Sequence, residues 1–322
     1  MNKTTKWILW SVLLVFLIIY PLVFGIYYTN VFVTFAIAAL YAVAIQMLLG
    51  FTGFLSFGHA MYFGVGAYGT AIALVHIKGL PLIVSVLFGF ASALLLALVM
   101  APLVVRLSVT AFAMIHMAFG MLAYTLALKL RNITGGEDGI GAFPIPPLRI
   151  PGVFSIDMTD PTNFYYFAMV ILGVSIWILW FVTKTPFGCL MVGIRDNANR
   201  IDYLGFKLPQ TKAVLYLLVG GFAGIAGSIF ALFQNLISAM ELYIMHSFIQ
   251  IMQIMVGGIG SFFGPILGAG VFAVLEELTS RYTQRVELVI GLILILVIMY
   301  FPTGLIGMYH HFKTRFFTRQ AD

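Results

Sequence analysis

The sequence predicts an all-α polytopic integral membrane protein with about ten transmembrane helices, some broken or half-helices, and both termini in the cytoplasm. Between Trp7 and Met308 the chain is almost continuously apolar, with two sizeable polar stretches at 131–163 and 184–212. Hydrophobic residues make up 62% of the 322 and charged residues 9%, outside the range of globular proteins. A hydrocarbon layer about 30 Å thick needs about 20 apolar residues per helix, and the chain supplies about ten such segments.

The predicted spans follow from runs of apolar residues between polar or glycine-rich breaks. We expect the third and the eighth to tenth spans to include half-helices, because they are short and contain glycines. The whole chain, residues 1–322, is predicted to be one transmembrane domain. In order, the segments are 7–28, 31–49, 59–76, 80–105, 108–130, 164–183, 213–235, 241–259, 265–280 and 288–308.

The lysines and arginines set the predicted orientation, because cytoplasmic loops are enriched in them. With an inner N-terminus, eleven of the 17 lie inside: Lys3, Lys6, Arg106, Lys184, Arg195, Arg200, Lys207, Lys212, Lys313, Arg315 and Arg319. Six lie outside: Lys78, Lys129, Arg131, Arg149, Arg281 and Arg285. The net charge of +6 therefore indicates cationic loops beside a lipid bilayer, in the cell inner membrane, rather than nucleic-acid binding.

The stretch 131–163 is predicted to be an extracytoplasmic loop. It contains the run Thr134-Gly-Gly-Glu-Asp-Gly followed by five prolines. Proline lacks a backbone donor and glycine tolerates positive φ, so we expect an ordered, turn-rich cap rather than a helix. Glu137 and Asp138 could hold a cation, but two carboxylates without further spaced oxygens favour a plain turn.

The stretch 184–212 is predicted to be a cytoplasmic loop with a two-turn amphipathic helix from Arg195 to Gly205. Asp196 or Asn197 can cap its start, and Gly205 can end it in the left-handed conformation. Two interpretations stay open: docking on a soluble partner, or lying at the lipid headgroups. The residues that would dock are Arg195, Asp196, Asn197, Arg200, Tyr203, Leu204 and Gly205.

Two glycine clusters with polar residues at membrane depth predict the translocation pathway. Irregular backbone survives at that depth only inside protein or beside a water-filled path. The other interpretation is close helix packing through small residues, for example at Gly260, Gly264 and Gly268. The pathway candidates are Gly53, Ser56, His59, His116, Gly257, Gly258, Gly260 and Gly264.

The sequence predicts a protein that is not an enzyme and that holds no cofactor or metal. No combination of residues typical of a catalytic site stands out, and Cys189 is the only cysteine. The sequence has no Gly-x-x-x-x-Gly-Lys-Ser/Thr phosphate loop, so any ATP must be hydrolysed by another chain. It also lacks the buried carboxylate series expected of a proton-driven carrier.

Five motifs, in the expected order over nearly the whole chain, resemble the branched-chain amino acid ABC transporter permeases, in particular the LivM-type subunit. They begin at Gly50 (Gly-Phe-Thr-Gly-Phe-Leu-Ser-Phe-Gly-His-Ala), Thr134 (Thr-Gly-Gly-Glu-Asp-Gly-Ile), Gly193 (Gly-Ile-Arg-Asp-Asn), Gly257 (Gly-Gly-Ile-Gly-Ser-Phe-Phe-Gly-Pro) and Tyr300 (Tyr-Phe-Pro-Thr-Gly-Leu-Ile-Gly). The resemblance differs at Arg200-Ile201, where the family usually has two alanines.

The resemblance implies a permease subunit of an importer. Its expected partners are a homologous LivH-type permease, two cytoplasmic ATPase subunits and an extracytoplasmic solute-binding protein. It also implies that the helix starting at Arg195 couples to an ATPase. Branched-chain amino acids are the expected solutes, with urea, another amino acid or another small solute as alternatives. A self-sufficient secondary carrier or channel is the other class, and it would work without ATPases.

Overall fold

The computed structural model describes residues 3–150, 154–283, 285–300 and 304–307. Lys313, Arg315, Arg319, Pro151 and residues 301–303 of the closing motif lie outside this part. The helices are α1 Lys3–Thr52, α2 Ala60–His76, α3 Leu82–Val104, α4 Val109–Lys129, α5 Arg131–Thr134, α6 Pro161–Lys184, α7 Pro186–Tyr203, α8 Leu208–Gln234, α9 Ile244–Gly257, α10 Gly264–Ser280 and α11 Val286–Tyr300. The strands are β1 Ile140–Gly141, β2 Leu148–Ile150, β3 Phe154–Ile156 and β4 Leu236–Ile237, and a 3₁₀ turn spans Ala239–Leu242.

The helical content and the apolar helices confirm an all-α integral membrane fold. Each predicted span overlaps one helical stretch. Within the described ranges, five helices are long and apolar enough to cross a membrane: Val15–Thr52, Leu82–Val104, Val109–Lys129, Pro161–Lys184 and Leu208–Gln234. Helix α9 has 14 residues, which rise about 21 Å and fall short of a hydrocarbon layer of about 30 Å. The number of crossings therefore stays a prediction.

The first two predicted spans form one helix, α1, that is interrupted at Gly25 rather than between residues 28 and 31. Gly25 adopts φ 73° and ψ 174°, a conformation open to glycine alone. The bend is sharp, because the ring centroids of Tyr20 and Phe32 lie 4.7 Å apart. In a straight helix, twelve residues would separate them by about 18 Å. The chain therefore turns back on itself at Gly25 without a separate loop.

The first part of α1 is bound to α6 through backbone carbonyls next to Pro21. Pro21 has no N–H, so the carbonyl of Leu17 loses its helical partner. The Tyr165 hydroxyl of α6 donates to that carbonyl (3.0 Å), and the Tyr166 hydroxyl donates to the carbonyl of Ile18 (2.7 Å). Helix α6 thus satisfies a backbone group that lipid could not.

The core is a three-helix junction of α2, α3 and α8. A Cβ atom added at Gly66 would lie 2.4 Å from the Cα of Gly224, and one added at Gly224 would lie 2.3 Å from the Cβ of Ala93. A Cβ added at Gly227 would lie 1.9 Å from the carbonyl oxygen of Phe63. The backbones touch because these residues have no side chain, which is the small-residue packing expected in membranes.

The described residues of the stretch 131–163 are rich in turns, as the sequence predicts. Strand β1 pairs with β4, and β2 pairs with β3, both antiparallel. Gly135, Gly136 and Gly139 all have positive φ, and Glu137 and Asp138 between them are exposed on the turn. The cap differs from the prediction in containing the one-turn helix α5, which forms because the Thr134 hydroxyl bonds the carbonyls of Ala127 and Leu130.

We expect Gly227→Val to destabilise the protein by about 1–3 kcal/mol, because the added side chain has to displace the backbone of Phe63. The measurement is the thermal unfolding midpoint of the purified protein in detergent. Gly173→Val is the matched control, since a Cβ added at Gly173 in α6 has no heavy atom within 4 Å. Equal midpoints for the two variants would contradict the close packing.

Candidate functional site

The structure brings three of the predicted pathway residues into one buried cluster. Ser56 and His59 lie in the connection between α1 and α2, and His116 lies in the middle of α4. All three have no exposed surface in this chain. The cluster joins the first glycine-rich connection to the core helices. Whether it lines a pathway stays a prediction.

Hydrogen bonds link this cluster to two tyrosines. The Ser56 hydroxyl lies 2.6 Å from Nδ1 of His59 and 2.5 Å from Nδ1 of His116. On the other side of its ring, His116 Nε2 lies 2.7 Å from the hydroxyl of Tyr216 in α8. The Tyr216 hydroxyl also contacts the hydroxyl of Tyr62 in α2. The network therefore connects α2, α4 and α8.

The protons available on Ser56 and on the two histidines determine which group donates in each of these hydrogen bonds. The Ser56 hydroxyl has one proton and can donate to only one imidazole, so the other must donate Nδ1–H to it. Within the described part of the chain, Nε2 of His59 is buried without a partner. An unpaired buried N–H is rarer than an unpaired acceptor. We therefore assign Nδ1–H to His59 and Nε2–H to His116, which donates to Tyr216.

The second glycine cluster forms the turn between α9 and α10. A Cβ added at Gly257 would lie 1.8 Å from the carbonyl oxygen of Gly264, and one added at Gly264 would lie 2.3 Å from that of Gly258. Gly258 has φ 114°, a backbone conformation that residues with a side chain rarely adopt. These three glycines serve close packing as well as the turn. Gly260 differs, because a Cβ there would meet no atom within 4 Å.

A cleft of about 670 Å³ opens on this turn. Its lining includes Gly258 and Gly260, with Phe51 of α1 and Lys184 at the end of α6. Gln46 of α1 holds the turn in place. Its side-chain amide donates to the carbonyl of Ile259 and, at 3.4 Å, to that of Ser261.

Arg195 connects the predicted coupling helix to the same region. Its guanidinium donates to the carbonyl of Gly50 near the end of α1 (2.7 Å). A Cβ added at Gly53 would lie 3.4 Å from the Cγ of Arg195. Gly53 itself has a positive φ of +76°. A Cβ at Gly50 would in turn lie 2.5 Å from the carbonyl of Ile259. The end of α1 thus contacts Arg195 on one side and the α9–α10 turn on the other.

The predicted amphipathic helix is longer than expected. Helix α7 begins at Pro186 and is interrupted at Asn197, which has φ −160° and ψ 95°. The Asn197 side chain then accepts from the Arg200 N–H (3.0 Å), as expected of a cap, and Asp196 pairs with Arg195 (3.1 Å). The helix ends as predicted, since Gly205 has φ +87°.

The end of α7 presents an apolar surface away from the helical bundle. Tyr203 is 89% exposed and Leu204 is 67% exposed. Large apolar side chains exposed together mark a contact surface for protein or lipid. Arg195 contacts the helical bundle, whereas Tyr203 and Leu204 face outward. The predicted coupling residues therefore separate into two groups.

Sequence reasoning missed Gln46, Tyr62, Tyr216, Glu241 and His246. Gln46 and the two tyrosines are fully or almost fully buried, and nothing in their spacing indicates that three distant helices bring them together. His246 Nε2 lies 2.7 Å from a carboxylate oxygen of Glu241, and the five-residue separation of the two residues at the start of a predicted span was a usable signal.

Comparison with known proteins identifies the family. The family model described as the permease component of the branched-chain amino acid transport system matches residues 27–301. The chain belongs to this family. Its glycine turns, the α7 segment and the buried histidine cluster all lie within the matched range. No solved structure matches the chain significantly.

The family includes relatives of two kinds. The permease protein LivM of Salmonella typhimurium is 27% identical over 82% of this chain and 66% of its own length. LivM of Escherichia coli K12 is 26% identical with the same coverage. LivH of Salmonella typhimurium is 22% identical over 84% of this chain and 91% of its own length. The chain therefore spans a little under two thirds of the length of the LivM proteins it matches.

We expect Tyr216→Phe to destabilise the permease by about 1–3 kcal/mol, because Nε2–H of His116 and the Tyr62 hydroxyl both lose the Tyr216 hydroxyl and keep only their long 3.4 Å contact with each other. Thermal unfolding in detergent measures the change. Tyr282→Phe is the control, since Tyr282 is 88% exposed. A Tyr216 variant as stable as the control would show that the network contributes nothing to folding.

Proposed function

We propose that the chain is a permease subunit of an ATP-binding-cassette importer that carries branched-chain amino acids across the cytoplasmic membrane. Membership of the permease family carries the proposal, and the relatives named LivM and LivH support it. In this proposal the chain is not an enzyme and needs no cofactor. Separate ATPase subunits hydrolyse ATP, in keeping with a sequence that has no phosphate loop.

The proposed complex contains a second, LivH-type permease, two cytoplasmic ATPase subunits and an extracytoplasmic solute-binding protein. The chain matches LivH proteins as well as LivM proteins, which supports pairing between homologous permeases. The cap, residues 131–163, is the proposed receiving surface for the binding protein, because its described residues are rich in turns and it lies opposite the α7 side in the proposed topology.

The proposed topology is one permease domain, residues 1–322, with about ten crossings and both termini in the cytoplasm. The distribution of lysines and arginines supports this orientation. The segment 184–212 is the cytoplasmic coupling loop. The short helices α2, α9 and α10 then span the membrane only together with the non-helical segments next to them.

Coupling in this proposal passes through the two groups of α7 residues. Tyr203 and Leu204 dock on the ATPase through their exposed apolar surface. Movement of α7 then reaches Gly50 through Arg195. Because Gly50 and Gln46 both contact the α9–α10 turn, the displacement reaches the cleft at that turn. Alternating access driven from outside the chain follows from this series of contacts.

Two variants test this division of roles in the complex reconstituted with its partners. Leu204→Asp puts a charge on the docking surface, so we expect weaker ATPase binding and loss of ATP-driven leucine uptake. Arg195→Ala removes the bond to Gly50, so we expect retained ATPase binding but uptake lowered about tenfold, as for loss of one charged hydrogen bond.

Arg106→Ala is the control for Arg195, because Arg106 is an exposed arginine in the connection between α3 and α4, outside the predicted coupling residues. Co-purification measures ATPase binding, and radiolabelled leucine measures uptake. Normal uptake by Leu204→Asp would make α7 a passive element at the lipid headgroups. Uptake by the chain alone in liposomes, without ATPases, would instead indicate a secondary carrier.

We expect single cysteines at Ala198 and Thr159 to label from opposite sides of the membrane in a Cys189→Ser background. Thr159 lies at the outer cap and is exposed, and Ala198 lies half-buried in the coupling loop. The measurement uses a membrane-impermeant maleimide on intact cells, with permeabilised cells as the control for reactivity. Labelling of both positions in intact cells would overturn the proposed topology.

A further inference from the structure

The cleft beside the α9–α10 turn has a cationic lining. Its volume is about 670 Å³, and Lys184 is the only charged residue among the described residues that line it. Within the described part of the chain, Lys184 forms no ion pair. Its ammonium group lies 5.8 Å from the centre of the Trp180 ring, which also lines the cleft. The cleft therefore carries one positive charge that no carboxylate of its lining neutralises.

The carbonyl groups of the turn already have donors, whereas some of its own donors are unused. The Gly258 carbonyl accepts from the Ser261 N–H (3.4 Å), and the Ser261 carbonyl accepts from the Gly264 N–H (3.2 Å). The Ile259 carbonyl accepts from a side chain of α1. In the ranges that the structure describes, neither the Ser261 hydroxyl nor the Gly260 N–H donates a hydrogen bond. The cleft thus offers donors to a ligand that brings acceptors.

The end of α6 leaves the ammonium group of Lys184 available to a ligand. The Thr183 hydroxyl donates to the Trp180 carbonyl, and the Thr185 hydroxyl donates to the Val182 carbonyl, both at 2.7 Å. These hydroxyls serve carbonyls that the last turn of a helix would otherwise leave without a partner. The ammonium group has three N–H donors and is not needed for this capping. Such a group suits a phosphate, which has one negative charge and several acceptor oxygens.

The cleft lies where two candidate membrane spans end. Phe51 lines it from the end of α1 and Lys184 from the end of α6, and both helices are long and apolar enough to cross a membrane. Helix α6 has 24 residues, which rise about 36 Å and exceed a hydrocarbon layer of about 30 Å. Its ends therefore lie at or beyond the hydrocarbon boundary. Tryptophan and lysine, as at Trp180 and Lys184, are typical of that boundary.

An apolar stripe on α6 leads along the helix to Lys184. Val170, Val174, Trp177 and Phe181 are 50–63% exposed. Spacings of four, three and four residues place them on one face of the helix, and Lys184 follows three residues after Phe181. A surface of this kind accommodates an acyl chain beside the charged group. It therefore favours a phosphate that belongs to a lipid over a free phosphate ion.

The sequence that follows the cleft is also basic. Gly307 lines the cleft, and the sequence after it contains Lys313, Arg315 and Arg319 but only one acidic residue, Asp322. Clusters of lysine and arginine next to a membrane span attract anionic lipids. The charge pattern therefore favours an anionic lipid over a zwitterionic one.

We propose that this cleft binds the phosphate headgroup of an anionic phospholipid, with Lys184 and Ser261 as donors. The apolar stripe of α6 lies along an acyl chain of the same lipid. The inference goes beyond the proposed function and does not depend on it, because such a lipid can bind to a permease for any solute. Its test measures lipid binding and involves no transport.

The first experiment measures quenching of Trp180 fluorescence by brominated lipids. The full chain with Trp7→Phe, Trp10→Phe and Trp177→Phe is reconstituted in phosphatidylcholine vesicles. The same minor share of the lipid is brominated phosphatidylglycerol in one sample and brominated phosphatidylcholine in the other. We expect Trp180 to report a preference of about fivefold for phosphatidylglycerol, as for one cationic residue beside an anionic lipid. Lys184→Gln should abolish that preference.

Two controls accompany this measurement. Lys129→Gln removes a lysine from the last turn of α4, outside the cleft lining, and should leave the preference of Trp180 unchanged. A single tryptophan introduced by Leu98→Trp, in the candidate span α3, should be quenched equally by the two lipids. Equal quenching of Trp180 with Lys184 intact overturns the proposal and leaves the cleft to the predicted pathway. A preference that survives Lys184→Gln overturns it as well.

The second experiment changes the charge of the cleft without altering Lys184. A Cβ added at Gly260 has no heavy atom within 4 Å, so a longer side chain fits there. We expect Gly260→Glu to lower the preference for phosphatidylglycerol about fivefold, because the carboxylate opposes the lysine charge. Gly260→Gln has the same shape without the charge and should keep the preference. Equal preferences in these two variants contradict the charge assignment.

Excess inorganic phosphate distinguishes a lipid from a soluble anion. It is present on both faces of the vesicles, and sodium chloride at equal ionic strength is the comparison, because salt alone screens the lysine charge. We expect the preference of Trp180 to be the same in the two salts, since the acyl chains keep the lipid at the cleft. Loss of the preference in phosphate alone identifies a site for a soluble anion and overturns the lipid proposal.

Discussion

The backbone contact between α2 and α8 determines where the polar groups of this permease lie. Gly66 and Gly224 allow the two helices to touch, and α3 joins them at the same level through Gly89 and Ala93. This spacing also brings together the hydroxyls of Tyr62, four residues before Gly66, and Tyr216, eight residues before Gly224. His116 and Ser56 extend that pair to α4 and to the connection before α2. A larger residue at the junction would separate all of these groups.

Much of the fold could be predicted because lipid imposes a simple rule on sequence. Apolar segments of sufficient length become helices, so each predicted segment overlaps a helical stretch. The rule does not specify where a helix is interrupted or where the chain turns back. The bend at Gly25 and the return of the chain at Ala239–Leu242 depend on partners distant in sequence. Only tertiary contacts decide such features, and a hydropathy pattern does not record them.

The candidate site was predictable to a lesser degree. Polar residues among glycines identified Ser56, His59 and His116, because each is unusual in an apolar run. The sequence could not distinguish Arg195, which faces inward, from Leu204, which faces outward, because both belong to one amphipathic segment. Gln46 resembles any single polar residue in a span. Its role appears only when α1 meets the α9–α10 turn.

The proline in the first helix has a consequence for the synthesis of the protein. The hydroxyl that satisfies the carbonyl of Leu17 belongs to Tyr165, which is made 148 residues later. At translation rates of about 5–20 residues per second, that interval is roughly 7–30 s. During this time the carbonyl of Leu17 lacks the hydroxyl that bonds it in the folded protein. The hydrogen bonds between α1 and α6 therefore form only after α6 has been synthesised.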